Sequence, residues 1–335
     1  MQDRITLAHG SGGRAMHDLI NGIFRKYFSN EFLDSGDDAA RLEVPAGRLA
    51  FTTDSYVVSP IFFRGGNIGR LAVCGTVNDL SALGAVPLYM SCGFILEEGL
   101  PLAELEEIVR SMAQTAAECG AKLVTGDTKV VRKGDADSVF INTSGIGLIP
   151  EGVEISGRRA SPGDRVIVTG TVGDHGCAVL LDREGLGINA PAESDCAPLS
   201  GMVQSLLERV RDVHVLRDPT RGGLATTLNE IALQSGTGIR LFEEKIEVRD
   251  GVRGVCELLG LDPLYMANEG KMIVIVPEAR AEKAVEVLQA SRYGGGARVI
   301  GEVLATDPGR VFMQTVAGGG RILDMLSGEQ LPRIC

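Results

Sequence analysis

The chain has 335 residues, of which 44% are hydrophobic, and a formal net charge of −11 at pH 7. The length suggests two domains of roughly 150 residues each. The negative charge argues against a general nucleic-acid-binding protein, because such proteins carry a basic surface.

The N-terminus and the cysteines indicate the compartment. The first residues lack the basic start and apolar run of a signal peptide, and no apolar run approaches the ~20 residues of a membrane helix. The seven cysteines are widely scattered and form no CxxC pair. This pattern argues against a zinc site or a disulfide framework and favours a reducing compartment. We therefore expect a cytoplasmic protein with no membrane or nucleic-acid partner.

The first half of the chain predicts alternating strands and helices. Residues 1–35 contain a glycine loop and a short amphipathic segment. Predicted strands lie in RLAFTTDSYVV, LYMSCGFIL, KLVTGDTKVV and SVFINTSGIGLIP, and predicted helices in GNIGRLAVCGTVNDLSALGA and PLAELEEIVRSMAQTAAECG. The last helix is the clearest, because its apolar residues recur at helical spacing and Gly120 is suited to end it.

The second half follows a linker with the sequence PEGVEISGRRASPGD, which is rich in Pro, Gly and charged residues. Its predicted strands are RVIVTG, IRLFEE, KMIVIV and ARVIGEVL. Its predicted helices lie at 174–183, at 199–211, and in GGLATTLNEIALQSG and EARAEKAVEVLQAS. The pattern weakens after residue 304, and 326–335 has the character of a tail. Mixed helices and hairpin-like strand pairs favour two α+β domains over one parallel sheet.

Acidic residues recur at turns, strand ends and helix positions. They are Asp37, Asp38, Asp54, Asp79, Asp127 and Asp218. One aspartate in a turn is ordinarily a cap. Several converging carboxylates would repel each other unless a cation lay between them, and magnesium takes such oxygen ligands together with phosphate oxygens.

Two glycine loops add to this prediction. HGSGGR (9–14) and PTRGGL (219–224) each allow the backbone to approach an anion, although neither is a P-loop. Together with the aspartates they predict nucleotide binding. Lys129 shares a strand face with Asp127, and Glu269 lies at a turn before a strand. Lys129 and Glu269 would handle protons as a buried pair, but the sequence alone favours two unrelated surface charges.

The motifs GDDAA, TTDS, VNDLSALGA, GDTKVV, INTSGIG, DPTRGGL and NEGKM occur in this order. Together they resemble the PurM-like, AIR synthase-related superfamily of ATP-using enzymes. Within it, the initial LAHGSGGR and the final PRIC resemble the hydrogenase-maturation carbamoyl dehydratases. The resemblance implies a glycine-rich lid (1–35), an N-terminal α+β domain for ATP binding and dimerisation (36–150), a C-terminal α/β domain (160–325) and a mobile tail (326–335).

The resemblance also implies a homodimer in which the N-terminal sheets pair into a barrel, with ATP and Mg²⁺ between the domains. The six aspartates are then the metal or phosphate residues. The remaining implied site residues are Gly10, Ser11, Gly12 and Gly13 in the lid, Asn142 and Thr143 beside the nucleotide, and Lys129 and Glu269 in the dehydration step.

The implied reaction takes place on Cys335. A carbamoyltransferase, HypF, would place a carbamoyl group on this sulfur. ATP would then drive its dehydration to a thiocyanate, and the cyanide would pass to iron on a HypC–HypD scaffold for NiFe hydrogenase. Ile334 is expected to anchor the tail in an apolar pocket, and Arg333 to favour the thiolate.

Three alternatives compete with this reading. Prenylation requires a cysteine four residues from the end, which Cys335 is not. A binding module that docks its C-terminal residue into a partner would leave the aspartates without a role. A selenophosphate synthetase-like enzyme or a small-molecule kinase would keep the ATP site, but the selenium chemistry uses a cysteine near the N-terminus and none here precedes Cys74.

Overall fold

A computed structural model of the chain describes residues 3–35, 39–43, 45–183, 187–188, 190–326 and 333–334. Two sheets organise the described chain, and helices cover them. The elements of the first part are β1 (Arg48–Tyr56), β2 (Phe62–Phe63), β3 (Gly66–Asn67), β4 (Val86–Glu97), β5 (Lys122–Val131), β6 (Val139–Ile149), α1 (Arg14–Leu19), α2 (Arg25–Phe28), α3 (Ile68–Ala82) and α4 (Leu102–Cys119).

The N-terminal sheet has four strands in the order β1-β6-β4-β5, and only the β4–β5 pair is parallel. Its inner face packs against α3 and α4. The Asn67 side chain caps α3 by accepting hydrogen bonds from the backbone N–H groups of Gly69 and Arg70. The α4 helix ends at Gly120, which has a φ of 72°. The predicted strands and helices of this half are confirmed.

The C-terminal part contains a seven-stranded sheet. Its elements are β7 (Asp164–Val168), β8 (Val215–Arg217), β9 (Gly238–Phe242), β10 (Ile273–Pro277), β11 (Arg298–Leu304), β12 (Val311–Gln314), β13 (Gly320–Leu323), α5 (Asp174–Leu181), α6 (Ser200–Arg209), α7 (Gly223–Ser235), α8 (Asp250–Leu259) and α9 (Glu278–Gln289). The order is β13-β12-β9-β11-β7-β10-β8, and only β12 and β9 pair in parallel. The prediction of mixed rather than purely parallel sheets is confirmed.

Strand β10 shows why the four residues 273–276 of the KMIVIV segment are all apolar. Ile273 and Ile275 pack with residues of α7 on one face, whereas Val274 and Val276 pack with residues of α6 and α9 on the other. Alternate residues of a strand point to opposite faces, so a strand between two helical layers needs apolar side chains at every position.

Hydrogen bonds between the two parts fix the walls of a cleft. Asn78 of α3 donates to the Ala197 carbonyl at 3.1 Å, and its Oδ1 accepts from the Leu199 N–H at 2.8 Å. The Arg64 guanidinium pairs with Asp182 at 2.7 Å. Because these side chains are buried or partly buried, the two domains present a defined surface to each other rather than a mobile gap.

Candidate active site between the two domains

Three of the predicted aspartates converge in the cleft. Asp79 lies near the end of α3 and accepts a hydrogen bond from Thr52 of β1 at 2.8 Å. Asp54 lies two residues further along β1 and on the same face, and Asp218 follows β8. Burial raises the pKa of Asp79, and the charge of Asp54 raises it further. Burial, followed by the charge of Asp79, raises the pKa of Asp218 to about 7.

Cationic and backbone donors face this cluster across a cavity of about 600 Å³. Arg217 and Arg221 line the cavity beside Asp79 and Asp218. The first turn of α7 follows Gly222. A Cβ atom at Gly223 would lie 2.5 Å from the Met266 carbonyl oxygen, so only glycine fits there. A helix N-terminus beside arginines and carboxylates can bind a phosphate and its counter-ion together.

Glu269 is buried in the turn before β10, with only 3% of its surface exposed. Its Oε1 atom has no hydrogen-bond partner in the described part of the chain. Burial raises its pKa well above the ordinary value, and the nearby carboxylates of Asp218 and Asp195 add to this effect. The environment of the side chain therefore favours its protonated form.

The turn that carries Glu269 is held by residues that the motif search missed. Asp195 accepts hydrogen bonds from the backbone N–H groups of Glu269 at 3.1 Å and Gly270 at 3.3 Å. Lys271 donates to Asp195 at 3.0 Å. Although burial opposes it, the Lys271 charge lowers the pKa of Asp195. No motif marked the 189–198 loop, so only its place in the fold reveals this role.

Asp127 and Lys129 lie elsewhere. They pair at 2.9 Å on the exposed outer face of β5, and Lys129 lowers the pKa of Asp127. Four paired residues form one row across the four strands of the sheet, in the order Ser55, Asn142, Gly93 and Asp127. Three strand spacings separate its ends by about 14 Å. The expectation that Asp127 stands at a strand end is wrong, because it lies in the middle of β5.

Asn142 and Thr143 point to opposite faces of β6. Asn142 is exposed on the outer face and donates to the Asp54 carbonyl at 2.9 Å. Thr143 is buried on the inner face and donates to the Ala72 carbonyl at 3.0 Å. Asn142 therefore belongs to the face that carries Lys129, whereas Thr143 joins the sheet to α3. Within one chain, the structure does not bring Lys129 to Glu269.

The glycine loop of the lid lies beside β5. Gly10 packs so closely that a Cβ atom there would be 2.8 Å from the Val130 nitrogen. Ser11, Gly12 and Gly13 follow as an exposed turn. The loop thus packs against the strand that carries Asp127 and Lys129. The predicted site residues Asp37 and Asp38 lie outside the described residues.

The end of the chain enters the interdomain core at Ile334, whose side chain is 6% exposed. Ile334 shares one apolar cluster with Cys196 and Ala267, which neighbour Asp195 and Glu269 in the sequence. Arg333 forms an ion pair with Asp137. The expected apolar anchor is therefore present, and Ile334 is docked rather than free. Cys335 lies outside the described residues.

The described residues were also compared with the requirements of a metal site and of a membrane-spanning helix. They contain no group of three or more His, Cys, Asp or Glu side chains arranged to enclose a metal ion. A cation at the aspartate cluster would therefore need further ligands, such as phosphate oxygens. None of the described helices is both long enough and apolar enough to cross a membrane.

Comparison with known proteins gives full-length matches. The N-terminal and C-terminal domains of the family "AIR synthase related protein" match residues 36–149 and 161–314. Carbamoyl dehydratase HypE of Azotobacter vinelandii is 54% identical over 331 residues, which are 99% of this chain and 97% of that protein.

Solved structures agree with these sequence matches. A crystal structure of the hydrogenase maturation protein HypE in complex with ATP has a TM-score of 0.94 and 54% identity, and the match covers 98% of this chain and 99% of that one. A chain from a HypE–HypF complex has a TM-score of 0.81 and 49% identity, with 92% and 99% of the two chains covered.

Proposed function

The chain belongs to the AIR synthase related proteins and, within them, to the HypE carbamoyl dehydratases, and from this membership we propose that it uses ATP to dehydrate a carbamoyl group on Cys335. The product is an enzyme-bound thiocyanate that supplies the cyanide ligand of NiFe hydrogenase. The observation that carries the proposal is the burial of Ile334, the residue before Cys335, in the core between the domains.

The chemistry explains the need for ATP. The carbamoyl oxygen attacks the γ-phosphorus, ADP leaves, and an O-phosphorylated imidate forms on the sulfur. Loss of the remaining N–H proton then expels phosphate and leaves S–C≡N. Hydroxide is a poor leaving group, whereas phosphate is a good one, so phosphorylation makes the elimination possible. The net reaction converts one carbamoyl group and one ATP to one thiocyanate, ADP, phosphate and a proton.

Glu269 is the proposed proton-handling group. Its carboxyl is buried and its Oε1 is unpaired, and burial raises its pKa above the ordinary value, which suits a carboxyl that exchanges protons with a substrate. Asp195 fixes the backbone of the same turn. Water must be kept away from the activated group, and burial of this turn serves that purpose.

The aspartate cluster fits Mg²⁺ and the phosphates of ATP. Asp54, Asp79 and Asp218 offer only oxygen donors, as Mg²⁺ prefers. Burial and then the neighbouring carboxylates raise the pKa of Asp79 and of Asp218, and a cation would relieve the repulsion among these charges. When bound, the ion would offset the charge that develops on the phosphoryl group. Arg221 and the first turn of α7 would bind phosphate oxygens. A solved complex of a HypE relative with ATP supports the binding of ATP itself.

A second copy of the chain would complete the site. Phe51 is 70% exposed, and Leu49 and Ile95 are also exposed on the outer face of the N-terminal sheet. An apolar patch of this kind is typical of an interface. Pairing of two sheets into a barrel would cover the patch and enclose the face that carries Asp127 and Lys129. These residues would then act towards the partner's cleft.

The proposed partners follow from the reaction. HypF donates the carbamoyl group, and the HypE–HypF complex of a relative supports this pairing. A HypC–HypD complex would accept the cyanide. A cytoplasmic location would keep Cys335 reduced and nucleophilic.

Intact-mass spectrometry after incubation with HypF, carbamoyl phosphate and ATP tests the proposal. Wild-type protein is expected to gain first the mass of a carbamoyl group and then the lower mass of a cyano group, as water is lost from it. Cys335→Ala is expected to gain neither group while still binding Mg–ATP. Cys119→Ala, which removes a partly buried cysteine, is the matched control. A cyano group on the Cys335→Ala chain would show that another residue is the carrier.

A further inference from the structure

We propose that His175 is the positioning residue that holds the tail in the interdomain site, through a hydrogen bond from its Nε2 to the backbone carbonyl of Ile334. The proposal rests on the function proposed above, in which Cys335 must enter the cleft for dehydration and leave it to accept a carbamoyl group. His175 lies in the first turn of α5 and belongs to none of the motifs of the sequence analysis.

The hydrogen bonds of the imidazole assign its protons. Nε2 lies 2.8 Å from the Ile334 carbonyl oxygen, and because a carbonyl only accepts, Nε2 carries the hydrogen. Nδ1 lies 2.8 Å from the Ser194 hydroxyl. That hydroxyl accepts from the Cys196 N–H at 3.1 Å, so its own hydrogen is free to point to Nδ1. Burial lowers the pKa of His175, in agreement with a neutral ring.

The surroundings of His175 fit a preformed receptor. The ring is fully buried and stands edge-on to Phe63 at a centroid distance of 5.3 Å. The nearby charge of Asp195 is compensated by Lys271. With Nδ1 satisfied by Ser194, the Nε2–H group points to the tail. Undocking of the tail would leave this donor buried without its protein partner, which is unfavourable.

Two further donors hold the preceding residue. The Arg333 carbonyl accepts from the Ser59 N–H at 3.2 Å and from Arg183 at 3.0 Å. Ser59 belongs to the first domain, whereas Arg183 and His175 belong to the second. Donors from both domains thus form hydrogen bonds with two successive carbonyl groups of the tail. Among these donors, His175 is the fully buried side chain, so it should contribute most to docking.

This arrangement predicts opposite effects on the two half-reactions. A variant without the Nε2 donor should spend more time undocked, where HypF can reach Cys335, and less time docked, where dehydration occurs. A merely structural role for His175 would lower both rates together.

The experiment compares His175→Leu with His175→Gln, because glutamine keeps a donor near the Nε2 position. Alkylation of Cys335 by iodoacetamide, followed by peptide mass analysis, reports undocking. Dehydration is followed in a single turnover of pre-carbamoylated protein. For His175→Leu we expect alkylation to become faster and dehydration slower, by factors whose product is about ten, because one buried hydrogen bond shifts the docking equilibrium by about that much. His175→Gln should recover most of both rates. Unchanged alkylation in folded His175→Leu would overturn the proposal.

A second measurement does not depend on the folding of a His175 variant. The chain has four histidines, so ¹⁵N-histidine labelling gives few imidazole signals. Deletion of residues 333–335 should shift the Nε2 signal of His175 and leave the other rings unchanged; an unchanged His175 signal would refute the contact. If the signal shifts but no thiocyanate forms on the full chain, the proposed function fails while the tail contact stands.

Discussion

The charge of Asp218 should destabilise the folded protein but strengthen nucleotide binding, and the substitution Asp218→Asn tests both effects. Asp218 lies within the carboxylate cluster, and burial together with the Asp79 charge raises its pKa from 3.8 to about 7. The amide of asparagine imitates the protonated acid in shape and hydrogen bonding, but it cannot become charged. The substitution should therefore stabilise the ligand-free protein only where wild-type Asp218 is ionised.

The sign and size follow from linkage. The folded state keeps the Asp218 proton up to about pH 7, whereas the unfolded chain releases it near pH 3.8. The folded state is therefore favoured below pH 3.8, and this advantage is lost as the pH rises through 7. Each pKa unit corresponds to about 1.4 kcal/mol, so the full difference is on the order of 4 kcal/mol. We expect Asp218→Asn to match wild type near pH 4 and to exceed its unfolding free energy by about 1 to 4 kcal/mol at pH 8.

Urea unfolding at pH 5 and pH 8, without nucleotide, measures this difference. Calorimetry at pH 8 should show that Asp218→Asn binds Mg–ATP at least about tenfold more weakly, since a charged oxygen ligand for the ion is lost. Asp135→Asn, at an exposed loop position, is the control and should change neither quantity. If the stability difference between Asp218→Asn and wild type is the same at both pH values, Asp218 does not carry the inferred buried charge.

Two other predictions address the proton-handling group and the outer face of the sheet. Glu269→Gln should leave Mg–ATP affinity unchanged but slow thiocyanate formation by about a hundredfold, as for the loss of a general acid–base group. Single-turnover mass spectrometry measures this rate, and a wild-type rate would remove Glu269 from the mechanism. Lys129→Ala and Asp218→Asn should each be inactive alone, but their mixture should regain roughly a quarter of wild-type activity, because half of randomly mixed dimers contain one intact composite site. A mixture no more active than its components would place both residues in one chain's site.

Much of the fold could be predicted from local pattern, because its core elements bury regular apolar faces. The α4 helix and the apolar β10 strand illustrate this. The α8 helix was missed, since two glycines, Gly251 and Gly254, lower its helix propensity. Strand β8 has only three residues, and β12 and β13 are short strands at the edge of the sheet. Such elements form because neighbouring strands offer free backbone groups, which no single-segment pattern reveals.

The site was predicted less completely than the fold. Asp54, Asp79 and Asp218 were selected as acidic residues near element ends, and they do converge. Asp127 was selected by the same rule but lies on the opposite face, because strand register decides the side and a single strand does not reveal its register. His175 was missed because nothing in its helix distinguishes a ligand-facing histidine from a core residue. Its role depends on Ile334, which is 159 residues away in the sequence.

The division of the predicted residues between two faces of one sheet constrains the mechanism. The carboxylate cluster, Glu269 and the docked Ile334 occupy the inner side, between the domains of one chain. Lys129 and Asp127 occupy the outer side, about three strand spacings, or roughly 14 Å, along the sheet. No side-chain rotation carries Lys129 through a packed sheet. If Lys129 serves the reaction, it must therefore act from the outer face, and we propose that it does so at the rim of an interface with a second chain, formed through the exposed Phe51 face.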